Sequence, residues 1–126
     1  MRSLHEGDMT PKQFSLALMQ AVVEDNTEAY QDIFTSTAPE GASDRYWKRA
    51  LTLFQSLSRD QQAVLFEIIR QVCVDTTSNV LGVIDGVNSV DGADEEFALI
   101  YGQNQKLNGD LQSLFLVEEE RRAKAR

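Results

Sequence analysis

Histidine and cysteine are nearly missing from this chain, which has one of each in 126 residues. Cys73 alone cannot form an internal disulfide or a cysteine-based zinc site. A Cys/His pair or a serine triad needs a histidine as base, and His5 lies in a weakly patterned N-terminal segment. We therefore predict no catalytic residues, and we expect Cys73 to be a small buried hydrophobe.

Long apolar runs and phosphate-binding motifs are also absent. No stretch approaches the roughly 20 apolar residues that span a bilayer, and the N-terminal residues lack the apolar centre of a secretion signal. Neither GxGxxG nor GxxxxGKS/T occurs, so no sequence feature indicates a nucleotide cofactor. We expect a soluble cytoplasmic protein without a cofactor and without membrane contact.

The composition itself is that of an ordinary globular domain, with 42% hydrophobic and 25% charged residues. A chain of this length buries roughly two thirds of the surface that its unfolded form exposes, which suffices without disulfides or a metal. We predict a single domain over residues 1–126, with a loose arm at 1–9 and a charged helical tail at 118–126.

Capping residues and apolar spacing predict a mainly α fold, a compact domain of four to five helices with a small β-hairpin near the C-terminus. Thr10 opens a first helix that runs to about Glu24. The polar run 25–27 interrupts it, and Thr27 caps a short second helix. Ser43 or Asp44 caps a third.

A capping box at Ser58 opens a long helix that extends to about Ile84. Its predicted inward stripe is Leu65, Ile69, Val72, Thr76, Val80 and Val83. The polar run 75–79 is its weak point, where a kink or a functional site are both compatible with the pattern.

The last third of the chain predicts a polar loop, a hairpin and a final helix. Residues 87–96 are rich in Asp, residues 97–101 alternate like a short strand, and 106–108 can pair back on it. Asp110 caps the last helix. The aromatic residues expected in the core are Trp47, Phe54, Phe66, Phe97, Tyr101 and Phe115, whereas Tyr30 and Tyr46 can edge a binding surface.

The net charge of −8 is distributed unevenly. Residues 1–84 contain 7 basic and 11 acidic residues, residues 85–110 contain 1 and 6, and residues 111–126 contain 4 and 3. This field opposes nucleic-acid binding, which depends on Lys and Arg. The basic ending at 121–126 is explained as the C-terminal end of a helix, where cations are favourable.

The acidic block supplies the candidate site. Its members are Asp85, Asp91, Asp94, Glu95 and Glu96. Asp85 and Glu96 have the spacing of positions 1 and 12 in an EF-hand loop, but the turn position that requires glycine holds Val90. We therefore predict an acidic binding surface and no metal site.

Three functions are compatible with these features. The first is a non-enzymatic binding or regulatory module, such as an immunity- or inhibitor-like protein, whose acidic surface covers a basic protein. The second is a small-ligand or metal-binding protein with a pocket near Asp75, Asn79 and Asp85. The third is a self-associating subunit, a possible homodimer, because a helix over 59–84 would span about 39 Å.

Overall fold

The computed structural model describes residues 8–126, and the predicted fold class is confirmed: the chain is mainly helical, with a small antiparallel hairpin near the C-terminus. The elements are α1 (Pro11–Leu18), a π-helical segment (Met19–Glu24), α2 (Asp25–Ser36), a 3-10 turn (Pro39–Gly41), α3 (Arg45–Ser56), α4 (Arg59–Ile84), β1 (Ile100–Tyr101), β2 (Gln105–Lys106) and α5 (Leu111–Ala125).

The first helix starts as predicted but does not break at 25–27. Thr10 forms the capping box with Gln13, and the helical backbone then continues through the π-helical segment into α2. The interruption was wrong because Thr27 does not act as a cap: it is buried, and its hydroxyl donates to the Val23 carbonyl (2.7 Å). Asn26 bonds back to Val22 in the same way (2.8 Å), so both polar side chains are satisfied inside a helix.

The π-helical segment directs both apolar and charged side chains toward the neighbouring helices. Met19 and Val23 are fully buried in the core, and Glu24, the last residue of the segment, reaches α4 and α5. A π segment adds a residue to the turn and so changes which side chains face a partner. Here it lets buried apolar residues and a charged residue share one helix face.

Three helical layers enclose the core. Phe34 contacts Phe66 and Glu24 bonds Arg70, so the π-helical segment and α2 run antiparallel to α4. Because Gln112 bonds Ser78 and Glu119 bonds Arg70, α5 is also antiparallel to α4. The buried cluster between these helices consists of Met19, Val23, Val74, Leu81, Leu111 and Phe115.

The short helix α3 packs against the C-terminal part of α2 and the N-terminal part of α4. It does so through aromatic packing around Phe34, whose ring centre lies 5.1 Å from that of Phe54, 6.0 Å from that of Trp47 and 6.2 Å from that of Phe66. Tilted contacts of this kind add to the apolar area that each ring buries. The expectation that these three residues lie inward is thus met.

Helix α4 is continuous through 75–79, but only part of its predicted inward stripe faces inward: Leu65, Ile69 and Val83 are half-buried, whereas Val72, Thr76 and Val80 are exposed. Val72 and Val80 are more than half exposed, at 57% and 53%. The fully buried residues, on the side of α4 that packs on the π-helical segment and α5, are Val74, Thr77, Ser78, Leu81 and Gly82. The apolar pattern of the sequence did not predict this interface because small residues line the interface. Ser78 and Gly82 let α5 approach the α4 backbone closely, and hydrophobicity alone does not reveal that.

The hairpin is shorter than predicted, with Ile100 opposite Lys106 and Tyr101 opposite Gln105. Phe97 and Tyr101 are exposed rather than in the core, and the inward contacts come from Leu99 and Leu107. The Gln105 amide bonds the backbone of Met9 in both directions, which ties the end of the predicted loose arm to the hairpin. Residues 1–7 of that arm, including His5, lie outside the described residues.

A network of ion pairs crosses all three helical layers. The Arg70 guanidinium donates to Glu24 (2.8 Å) and to both carboxylate oxygens of Glu119 (2.7 and 2.9 Å). Arg122 donates to Glu24 as well (2.9 Å), and Glu118, only 5% exposed, accepts from Arg121. The predicted charged tail is therefore packed against the core at Glu118, Glu119 and Arg122, whereas residues 123–126 are exposed.

The network lowers the pKa of two carboxyl groups, those of Glu24 and Glu118. The hydrogen bond from Arg70 lowers the pKa of Glu24 below its ordinary value of 4.5, and Arg122 lowers it further, against the opposing effect of burial. The hydrogen bond from Arg121 lowers the pKa of Glu118 in the same sense. A lowered folded-state pKa means that the unfolded chain binds more protons, so this stabilisation is present above pH 4.5 and is lost as the pH falls through the lowered value.

We predict that Arg70→Leu lowers the free energy of unfolding at pH 7 by about 2–3 kcal/mol, because Glu119 and Glu24 lose their shared partner in a largely buried position. The loss should shrink as the pH falls below 4.5, since protonation removes the charges that Arg70 serves. Urea unfolding at pH 7 and at acidic pH measures both. Arg59→Leu, at an exposed site, is the control and should change stability by about 0.5 kcal/mol or less. An equal loss at both pH values would contradict the account.

Candidate functional site at the acidic loop

Asp85, one of the five predicted surface acids, forms hydrogen bonds that stabilise the fold. Its carboxylate accepts from the backbone N–H of Gly109 (2.7 Å) and of Gln112 (2.8 Å). It thereby caps the N-terminus of α5 from the end of α4, where a negative charge is favourable. Asp110, the predicted cap, makes no side-chain capping bond, so that prediction was wrong.

Asn108 closes the connection between α4 and α5. Its side-chain amide donates to the carbonyls of Ile84 (2.7 Å) and Phe97 (2.8 Å), and its oxygen accepts from the N–H of Leu99 (2.8 Å). One side chain thus fixes the end of α4, the end of the loop and the start of the hairpin. All three of these bonds satisfy backbone groups that would otherwise lack a partner.

The contact beneath this connection is unusually close. Gln112 donates to the Ser78 carbonyl (3.0 Å) across the face of α4. A Cβ atom at Gly82 would lie 2.4 Å from the Asn88 amide nitrogen and 2.7 Å from that of Gln112. Gly82 thus leaves room for the ends of these two side chains. The N–H groups of Val87 and Asn88 also donate to the Gly82 carbonyl (2.9 and 3.0 Å), which anchors the start of the loop to α4.

Between these anchors lies the segment 86–97, which we call the acidic loop. It carries Asp91, Asp94, Glu95 and Glu96, all four exposed. None of them forms an ion pair or a side-chain hydrogen bond with any residue of 8–126. The carboxylates of Glu24, Glu118 and Glu119, by contrast, are all paired with arginine. Other exposed acids, such as Glu28, Glu40 and Glu120, also lack an ion pair within residues 8–126, but the acidic loop holds the densest group, with four unpaired carboxylates at 91–96.

A groove of about 300 Å³ runs along the acidic loop. Apolar residues line one part of it, and Asp94, Glu95 and Glu96 line another. The apolar members are Val83, Val90, Ala93 and Phe97. Val90 and Phe97 are 42% and 46% exposed although both are large and apolar. Sequence reasoning assigned Phe97 to the core and so missed it here, although apolar residues inside a polar loop were the available signal.

Asp75 and Asn79, the alternative pocket residues, are both exposed on α4. The Asp75 carboxylate accepts from the amide of Gln71 one turn earlier (2.9 Å), which is an ordinary contact along a helix. Asp85 faces α5 instead. The structure does not bring these three side chains into one enclosed pocket.

The remaining sequence features also have defined places. Cys73 is a free thiol, half-buried, and it packs against the core cluster. Within residues 8–126, no group of three or more His, Cys, Asp or Glu side chains is placed to hold a metal ion. Nor does that part of the chain contain a helix of the length and apolarity needed to cross a membrane.

No known protein family, no curated protein and no solved structure matches this chain. There is therefore no relative from which a substrate, a partner or a set of site residues could be transferred. The placement and the chemistry of the chain's own residues carry the functional argument. The acidic loop is the part in which charge, exposed apolar surface and rigid anchoring coincide.

We predict that Asp85→Ala lowers the free energy of unfolding by about 1–2 kcal/mol, because two backbone N–H groups at the start of α5 lose their acceptor. Asp110→Ala is the matched control, since it removes an aspartate at the conventional capping position without removing a capping bond, and it should cost less than about 0.5 kcal/mol. Chemical unfolding of both variants decides the point. A larger loss for Asp110→Ala than for Asp85→Ala would contradict the capping arrangement.

Proposed function

We propose that this chain is a non-enzymatic binding module that recognises a basic segment of another protein through the acidic loop. The observation that carries the proposal is the combination of four unpaired carboxylates with an apolar groove on one anchored loop. Immunity or inhibitor proteins that cover a cationic protein work with this chemistry. The proposal does not extend to nucleic acid, whose phosphates this surface would repel.

The negative charge of the acidic loop supports the proposal of a basic partner, because electrostatic attraction acts before the two proteins touch. A concentrated negative surface raises the rate of encounter with a positive one and orients the two, whatever contacts follow. In this chain the carboxylates around the core are neutralised by Arg70, Arg121 and Arg122. The acidic loop adds four unpaired carboxylates within six residues and therefore concentrates negative charge at the C-terminal end of α4.

The groove supports a lysine or arginine side chain as the recognised group. Such a side chain has an apolar stem and a charged end, and it can lay the stem on apolar surface while the end stays with polar groups. Val90 and Phe97 would take the stem, and the carboxylates of Glu95 and Glu96 would take the cation. A cation above the Phe97 ring would gain a further attraction.

The anchoring of the acidic loop supports specific binding rather than non-specific electrostatic attraction. Both ends of the acidic loop are fixed, by Asn108 on one side and by the Asp85 cap and the Gly82 contact on the other. A surface that is already ordered loses less conformational entropy when a partner binds. The second hypothesis, a small-ligand pocket near Asp75 and Asp85, lacks comparable support because those residues face different directions.

The test uses a fluorescent peptide of ten residues that alternates lysine with leucine, titrated with the protein at about 0.1 M salt, where the Debye length is about 10 Å. The triple variant Asp94→Asn, Glu95→Gln, Glu96→Gln should weaken binding about 5- to 30-fold, as expected for three exposed ion pairs of a few tenths of a kcal/mol each or more. Fluorescence anisotropy gives the dissociation constants.

The control carries the same charge change elsewhere: Glu28→Gln, Glu40→Gln, Glu120→Gln, all at exposed positions. It should weaken binding by less than about threefold, because charges beyond a Debye length are screened. Phe97→Ala should weaken binding without altering the salt dependence. Equal losses for the two triple variants would show that only net charge matters, and the proposal would be abandoned.

A further inference from the structure

A second groove, of about 310 Å³, lies between α1 and α5. It shares no residue with the groove along the acidic loop. Two of its lining residues belong to α1 and four to α5: Lys12, Leu16, Leu114, Val117, Glu118 and Arg121. Sites for small molecules in proteins measure about 300–1,000 Å³, so this groove has the size for a small ligand.

The apolar part of this groove is incompletely covered. Leu16 and Leu114 are half-buried, and Val117 beside them is 64% exposed. An exposed valine by itself is ordinary, but Val117 extends the apolar surface of two leucines that lie on different helices. A ligand with a hydrocarbon chain would remove this surface from water, and its affinity would rise with each CH₂ group that it buries.

The polar part of the groove carries an excess of positive charge. The Glu118 carboxylate is paired with Arg121, and it also lies 3.7 Å from Nε of Arg122. Lys12 is exposed, and no ion pair joins it to any other residue of 8–126. Two cations therefore line the groove beside one carboxylate that is already neutralised, although the whole chain has a net charge of −8.

Arg121 has hydrogen-bond donors available for a ligand. Its Nε donates to Glu118, and its terminal amino groups form no hydrogen bond within residues 8–126. The side chain is 67% exposed, so these amino groups are accessible from solution. A guanidinium can only donate, and its planar arrangement of N–H groups suits an ionised oxygen acceptor such as a carboxylate.

We propose that the groove between α1 and α5 binds a free, straight-chain carboxylic acid of medium length. The carboxylate lies between Lys12 and Arg121, and the hydrocarbon chain lies along Leu16, Leu114 and Val117. From Leu114 to Arg121, α5 rises roughly 10 Å at about 1.5 Å per residue, which is about the length of an eight-carbon chain.

The charge of the groove distinguishes between amphipathic ligands of equal length. An amine would meet Lys12 and Arg121 as like charges, which is unfavourable. A neutral amide would gain the same apolar contact but would offer no ionised acceptor, and hydrogen bonds to ionised groups are about twice as strong as neutral ones. The groove and the acidic loop therefore select ligands of opposite charge. This inference does not rest on the proposed function.

Amide chemical shifts recorded while the protein is titrated with octanoate at about 0.1 M salt test the site. The shifts that change should cluster at 12–16 and 114–121, with a dissociation constant of roughly 0.1 to 1 mM. Hexanoate, which is two CH₂ groups shorter, should bind about 4- to 15-fold more weakly. Octanamide, which has the same chain but no charge, should bind at least about threefold more weakly.

Two pairs of variants test the individual contacts. Lys12→Gln should weaken octanoate binding about two- to fivefold, whereas Lys48→Gln makes the same charge change on α3 and should have no effect. Val117→Asp should weaken binding at least about fivefold, because its carboxylate lies one turn before Arg121 and competes for the guanidinium. Val72→Asp, at a 57% exposed position on α4, is the matched control. Circular dichroism confirms that all four variants are folded.

Several results would overturn the proposal. These are shifts that do not saturate or that lie outside the groove, octanamide binding as tightly as octanoate, and equal effects of Lys12→Gln and Lys48→Gln. The variant Asp94→Asn, Glu95→Gln, Glu96→Gln keeps the two proposals separate, since it should bind octanoate no more weakly than the wild type. If octanoate does not bind but the basic peptide does, the acid-binding groove fails and the proposed function stands.

Discussion

The guanidinium of Arg70 is the interaction on which the arrangement of the helices depends. It joins Glu24 at the end of the π-helical segment to Glu119 in α5, so a single side chain of α4 fixes both neighbouring helices. Because α5 must return along α4 to reach Arg70, the chain between them has to begin and end at the same end of α4. The acidic loop therefore projects from one end of the molecule and cannot spread over its side.

The same constraint divides the charges into two groups with different uses. Carboxylates that face the core find arginine partners, and burial makes those pairs costly to break. The carboxylates of the acidic loop and the basic side chains of α3 have no such partners in residues 8–126. Pairs inside the fold account for its stability, and unpaired groups outside it are available for association.

The features that could be predicted from the sequence are those that depend on residues close together in the chain. The capping boxes at Thr10 and Ser58 identified the starts of two helices, because the cap and its partner are three residues apart. The role of Asp85 could not be predicted, since its bonds reach 24 and 27 residues along the chain. For the same reason the charged run at 118–126 did not reveal that Glu118 is buried, because its burial depends on packing against distant parts of the chain.

The candidate site shows the same division. Its acids could be found by counting charges, and Asp91, Asp94, Glu95 and Glu96 are indeed exposed. Its apolar part could not, because alternation around Phe97 is typical of a strand that faces a core. The strand formed only at Ile100–Tyr101, and Leu99 and Leu107 occupied the inward positions, which left Phe97 beside the acids.

The most direct test of this account is a map of backbone amide chemical shifts during titration with a lysine-rich peptide. The account predicts that the shifts which change cluster at 86–97 and at Val83, with little change along α1, α2 and α5. Shifts spread evenly over every exposed acid, or centred on another surface, would contradict it.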